Sequence, residues 1–87
     1  MKITILSRAE KELRKIPKFD QIAIAAKIRS LPEPSLAGEE KLAGFSHAYR
    51  VRVGHYRIVY KRMKDEIIVI LIRHRKDVYR MLTEILG

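Results

Sequence analysis

Cysteine is absent from the 87 residues of this chain, which excludes disulfide frameworks and thiolate chemistry and makes a reducing cytoplasm the expected setting. Long apolar runs are absent too. The longest, Ile67 to Ile72, falls far short of the roughly 20 residues that a membrane-spanning helix needs, so no membrane association is expected. The first residues, Met1-Lys2-Ile3-Thr4-Ile5-Leu6, run straight into a charged segment and do not read as a signal peptide. No H-x-E, H-E-x-x-H or paired carboxylates occur at ligand spacing, and there is no glycine-rich phosphate loop and no assembled Ser-His-Asp set. Neither a metal site nor a cofactor is therefore expected. Negative charge is also scarce: 10 Asp plus Glu stand against 19 Lys plus Arg, a formal charge of +9. Such an excess implies a polyanionic or acidic partner, nucleic acid or protein. The length fits a single domain over residues 1–87, near the lower end of what buries a core without disulfides or metal.

What the chain does contain is a basic hairpin, Tyr49-Arg50-Val51-Arg52-Val53-Gly54-His55-Tyr56-Arg57-Ile58-Val59-Tyr60. Polar and apolar residues alternate with period two on both sides of a Gly-His pair, the pattern of two half-buried strands joined by a tight turn. Gly54 can take the positive φ such a turn needs. Counting outward from the turn pairs Val53 with Tyr56, Arg52 with Arg57, Val51 with Ile58 and Arg50 with Val59. One face then carries Arg50, Arg52 and Arg57. Like charges directly opposite on a sheet are destabilising, and a cost of this kind marks a functional site, here one for anions.

Around the hairpin the pattern is that of a small α+β domain. Lys2 to Leu6 alternates as a short strand. Ser7 with Glu10 forms a capping box for a helix carrying Ala9, Leu13 and Ile16, which Pro17 ends. Asp20 caps a second helix with Ile24, Ile28 and Leu31 on one stripe. Residues 32–47 lack periodicity and form a loop, anchored by Leu42 and Phe45. Glu66 to Arg73 is apolar on both faces and therefore central in the sheet, with the first strand as a candidate neighbour. Asp77 caps a short final helix with Val78, Leu82 and Ile85. The resulting expectation is β-α-α-β-β-β-α: a four-stranded, antiparallel-rich sheet packed with an N-terminal helical hairpin and a short C-terminal helix.

A second basic cluster, Arg73-His74-Arg75-Lys76-Asp77-Val78-Tyr79-Arg80, lies where the central strand leaves the sheet. Arg73 and His74 follow directly from a buried strand and are thereby held on a rigid element. Arginine clamps phosphate but, with a pKa above 12, is a poor proton acceptor. A histidine among cations leans neutral, which suits a base, so His74 is the candidate. Tyr79 offers a face for stacking a nucleobase, or it packs in the core. His47 and His55 read as solvated turn residues.

Together, Lys41-Leu42-Ala43-Gly44, the hairpin Tyr49 to Tyr60 and His74 to Arg80 give the chain its resemblance to the RelE-like toxins of the RelE/ParE superfamily, from bacterial and archaeal toxin-antitoxin systems. The resemblance covers nearly the whole chain. It implies a metal-independent endoribonuclease that enters the ribosomal A site, cleaves messenger RNA there by 2′-hydroxyl attack and so inhibits translation. It implies a cognate antitoxin, acidic and helix-rich, through which the complex binds operator DNA. By the same resemblance Arg50, Arg52, Arg57, Arg73, His74 and Tyr79 are the catalytic set. The RelE prototype carries lysines where this chain has Arg50 and Arg52, one of them thought to activate the 2′-hydroxyl, so the base lies outside this hairpin. A ParE-like DNA gyrase inhibitor, or a homologue that acts only by pairing with a partner, are the alternatives.

Overall fold

The computed structural model describes residues 1–33, 38–77 and Arg80. In chain order the elements are β1 (Lys2–Ile5), α1 (Ser7–Arg14), α2 (Lys18–Ser30), β2 (Glu40–Lys41), β3 (Ala48–Val53), β4 (Tyr56–Arg62) and β5 (Glu66–His74). The strands form one five-stranded sheet in the order β1-β5-β4-β3-β2. β1 runs parallel to β5, and the other neighbours are antiparallel. The expected four-stranded sheet is thus corrected to a mixed sheet of five. The added strand, β2, has two residues and too little sequence for a period to show. The expected final helix from Val78 onward, with Leu82 and Ile85, lies outside the described residues.

The two helices pack on one face of the sheet and form the anticipated hairpin, but their starts differ from expectation. Ser7 is the first residue of α1 and makes no capping bond, because Leu6, still paired with Val69 of β5 through a 3.0 Å amide hydrogen bond, occupies the cap position. Asp20 lies inside the first turn of α2, and Pro17 precedes that helix as its cap. Proline fits there because its missing N–H would have had no intrahelical partner. The short connection is tied by Gln21, whose Nε2 donates to the carbonyls of Ile16 (2.8 Å) and Arg14 (3.1 Å), groups the end of α1 leaves unpaired.

Under the helices lies the main core. Ala9, Ile24, Leu31, Val51, Ile58, Tyr60, Ile67, Val69 and Ile72 are essentially inaccessible, and Ile16 and Ile28 nearly so. On the opposite face Leu42, Ala48, Val59, Ile70 and Leu71 form a second, smaller core beneath Phe45, so Leu42 and Phe45 do anchor their loop. β5 feeds both cores, as its double-sided apolar sequence requires. It does so by breaking alternation: Val59 pairs with Leu71 but Tyr60 with Val69, so Ile70 is an extra residue in the ladder. Val69 and Ile72 consequently face the helices while Ile70 and Leu71 face the other way.

Arg62, at the end of β4, fastens the chain after α2. Its Nη2 donates to the Leu31 carbonyl (3.0 Å), the Glu33 carbonyl (3.4 Å) and the Glu39 carboxylate (2.8 Å). The guanidinium also lies over the rings of Tyr49 and Tyr60, 5.8 and 6.0 Å from their centroids. Burial, and next the Glu39 carboxylate, hold the Tyr60 hydroxyl above its ordinary pKa, so it remains a neutral phenol. Substitution Arg62→Ala strands the largely covered Glu39 carboxylate. It is expected to lower stability by about 2 kcal/mol, read as a lower urea midpoint, with Arg62→Lys recovering less than half because a lysine ammonium cannot match the planar fork.

Candidate anion-binding site

The hairpin register is the one that alternation implies: Arg52 lies opposite Arg57, Val51 opposite Ile58, and Arg50 opposite Val59. Gly54 opens the turn at φ 60°. On the next strand Arg57 pairs with Arg73 and Ile58 with Ile72. Arg52, Arg57 and Arg73 therefore form one row across three adjacent strands, on the face away from the helices. Arg73 reaches that face because of the extra residue at Ile70. With unbroken alternation from Val69, Arg73 would fall on the helix side and His74 on the arginine side.

Directly behind the row lies another, Val51, Ile58 and Ile72, each at most 1% exposed. Complete burial of three such side chains contributes about 5–9 kcal/mol, whereas the like-charge pair Arg52–Arg57 costs about 0.2–1 kcal/mol. Packing wins, and it holds the charges in line. The cost is visible at Arg57: burial first, then the positive charges of Arg52, Arg50 and Arg75, push its guanidinium pKa below the ordinary value. It nevertheless stays a cation at neutral pH.

Each arginine has different local partners. The Arg50 side chain donates to Glu40 of β2, from Nη2 at 2.8 Å and Nε at 3.3 Å, and this contact first of all holds the Glu40 carboxyl below its usual pKa. Arg52 is exposed, and its Nε donates to the Gly54 carbonyl at 3.3 Å. From Arg57, Nη1 donates a long 3.4 Å bond to the Tyr56 carbonyl. Arg73 donates from Nε to Glu12 of α1, around the edge of β5. Glu12 and Glu40 were not among the sequence candidates. Glu40 sits in a two-residue strand, and Glu12 is separated from Arg73 by 61 positions, so no local pattern links either to its partner.

His74, one residue on, belongs to the opposite face. Its ring stands edge-on to Tyr56 (centroids 5.8 Å apart) and stacks on His55 at 6.1 Å. Its Nδ1 accepts a 3.3 Å hydrogen bond from the Lys76 amide. Although alternation separates His74 from Arg73, the two meet at the strand edge, where both line a cavity of about 260 Å³ together with Glu12, Lys15, Tyr56 and Asp77. A larger depression of about 510 Å³ lies along the loop from Lys41 to His47, away from the row. Tyr79 lies outside the described residues. Among the described residues no cluster of His, Asp or Glu is suited to hold a metal ion.

The sequence matches a known family model, "ParE toxin of type II toxin-antitoxin system, parDE", over residues 3–79. The chain belongs to the ParE toxin family. It is a RelE-like toxin of the RelE/ParE superfamily, and solved structures agree. The chain is similar to one in the RelB-RelE antitoxin-toxin complex from Methanococcus jannaschii, with 26% identity and a TM-score of 0.74 over 90% of this chain and 96% of that one. The isolated E. coli RelE toxin shares the fold at 24% identity and a TM-score of 0.71, covering 95% of each chain. The intact E. coli RelBE toxin-antitoxin complex matches at 25% identity and a TM-score of 0.70, over 84% of this chain and 94% of that one. No curated protein sequence matches significantly.

The arginine row is held against the stability of the fold. Arg57→Gln removes the repulsion with Arg52 and part of the desolvation, so it is expected to raise the melting temperature by about 2–4 °C. Scanning calorimetry of the two proteins in low salt is the check.

Proposed function

We propose that this toxin is a metal-independent endoribonuclease that cleaves messenger RNA in the ribosomal A site and thereby inhibits translation. The observation that carries this reading is the register that sets Arg52, Arg57 and Arg73 opposite one another on neighbouring strands, with the Arg73 guanidinium held by Glu12 in an edge cavity that also contains a histidine. Phosphodiester cleavage without metal needs fixed positive charge where the equatorial oxygens gain electron density, and planar arginines supply it.

In the proposed step the ribose 2′-oxygen forms a bond to the adjacent phosphorus as the bond from phosphorus to the 5′-oxygen breaks. The 2′-hydroxyl proton passes to a base, a proton is delivered to the 5′-oxygen, and a 2′,3′-cyclic phosphate remains. Arg57 and Arg73 stabilise the phosphorane, Arg50 and Arg52 orient the RNA backbone, and Tyr79 stacks a base. His74 is the proton acceptor; to act, its Nδ1 must exchange the Lys76 amide for the substrate, or the ring must take the tautomer that carries its proton on Nδ1 and leaves Nε2 to accept. The cognate partner is an antitoxin, acidic and helical, whose carboxylates meet the arginine face and through which the complex binds operator DNA. Supporting a helical partner, α2 leaves Phe19 84% and Ile22 61% exposed beside Ala23 and Ala26, at helical spacing.

The family model that matches is that of ParE, and this favours a second reading in which the toxin inhibits DNA gyrase by binding. Adding the purified toxin to translating ribosomes and mapping message ends separates the two. Cuts at A-site codons that fall about 100-fold in rate with Arg57→Ala support the nuclease. Intact message with inhibited gyrase supports the other.

A further inference from the structure

β5 has a strand neighbour on its outer side only as far as Val69. Pairing with β1 ends at Ile5 opposite Val69, and the amide of Leu6 makes the last backbone bond, to the Val69 carbonyl. Farther along, the outward amide of Ile72 would lack a partner, and a residue of α1 supplies one. Glu12, with a side chain only 11% exposed, accepts the Ile72 N–H on Oε1 at 3.0 Å and the Arg73 Nε–H on Oε2. One carboxylate thus binds the backbone of β5 and the side chain of the very next residue.

The bond to Nε is the informative one. A guanidinium carries five N–H donors, and Glu12 takes the one nearest the stem. Among the described residues, no contact occupies the terminal nitrogens of Arg73, which keep the two-pronged edge suited to a phosphate. The backbone bond fixes the carboxylate, the carboxylate fixes the guanidinium, and a side chain rich in rotamers is ordered before any anion arrives.

We infer that Glu12 is a positioning residue, which holds the Arg73 guanidinium for the phosphate in the cleavage described above, on which reading this inference rests. Both carboxylate oxygens of Glu12 are engaged, by the Ile72 amide and by Arg73, so it acts through Arg73 and not on the RNA directly. Its contribution belongs to the rate of the bound complex more than to binding, because removing its charge leaves Arg73 cationic but free to wander.

Glu12→Gln tests this, because glutamine retains an acceptor for the Ile72 amide and loses the charge that grips Arg73. In single-turnover cleavage of ribosome-bound message, the variant should be slowed about tenfold at saturating toxin, with the half-saturating concentration unchanged or lower. In an Arg73→Ala background the same substitution should have no further effect, whereas a merely structural role would lower both backgrounds equally. An unaltered rate, an equal loss in both backgrounds, or faster cleavage that makes Glu12 a brake would each overturn the inference while leaving the nuclease reading intact. Absence of cleavage by the unsubstituted toxin would defeat both readings and is seen without any variant. Should Glu12→Gln fold poorly, hydrogen exchange in the unsubstituted protein decides: the Arg73 Nε–H should exchange at least about tenfold more slowly than that of exposed Arg8, and equal rates would overturn the inference.

Discussion

The register that places Arg52, Arg57 and Arg73 side by side constrains the rest of the molecule, because three cations on adjacent strands stay there only if something else forbids the strands to slip. The restraint comes from the other face. Val51, Ile58 and Ile72 form the row behind, and a shift by one residue would turn that row toward solvent. Stability is supplied on the helix side and spent on the open side. The lowered pKa of Arg57, caused first by its burial and then by its basic neighbours, is the local sign of that expense. Arrangements that cost stability without aiding packing are the ones a ligand of opposite charge can relieve.

Two devices complete the row from the far strand. The extra residue at Ile70 changes the phase of β5, so the strand that supplies both cores also presents Arg73 beside Arg57. Glu12 then draws the Arg73 guanidinium to the edge of the sheet, where it joins His74 and Tyr56 around one cavity. The arginine face and the histidine-bearing cavity are thereby brought to one end of the sheet, as the proposed reaction requires. In the proposed reaction, arginines at positions 50 and 52 supply charge but no proton acceptor, so the base is sought at the edge and not on the hairpin.

The hairpin was legible in the sequence because its two strands are half buried, so period two writes the register directly into Tyr49 to Tyr60. β5 was legible as a central strand for the opposite reason, its apolar character on both faces, and that same character concealed the extra residue: Val69 to Ile72 has no polar position to reveal a change of phase. Leu42 and Phe45 identified themselves as anchors of an otherwise irregular loop. β2 did not, since Glu40 and Lys41 alone carry no period. The helix caps were misplaced at Ser7 and Asp20 because the backbone of β1 and Pro17 already occupied the positions that local propensity assigned to those side chains. Glu12 was invisible, because its partners come from a segment about sixty positions away. The tertiary fold, not local pattern, completes the edge of the site.

In the proposed function the arginine row binds the phosphodiester backbone, and the salt dependence of affinity for a short single-stranded RNA with methylated 2′-hydroxyls, which binds without being cut, measures this. Each guanidinium that neutralises a phosphate contributes about 0.7 to the slope of log affinity against log salt for a single strand. Arg57→Gln should flatten the slope by about that amount. Identical slopes for the two proteins would contradict it.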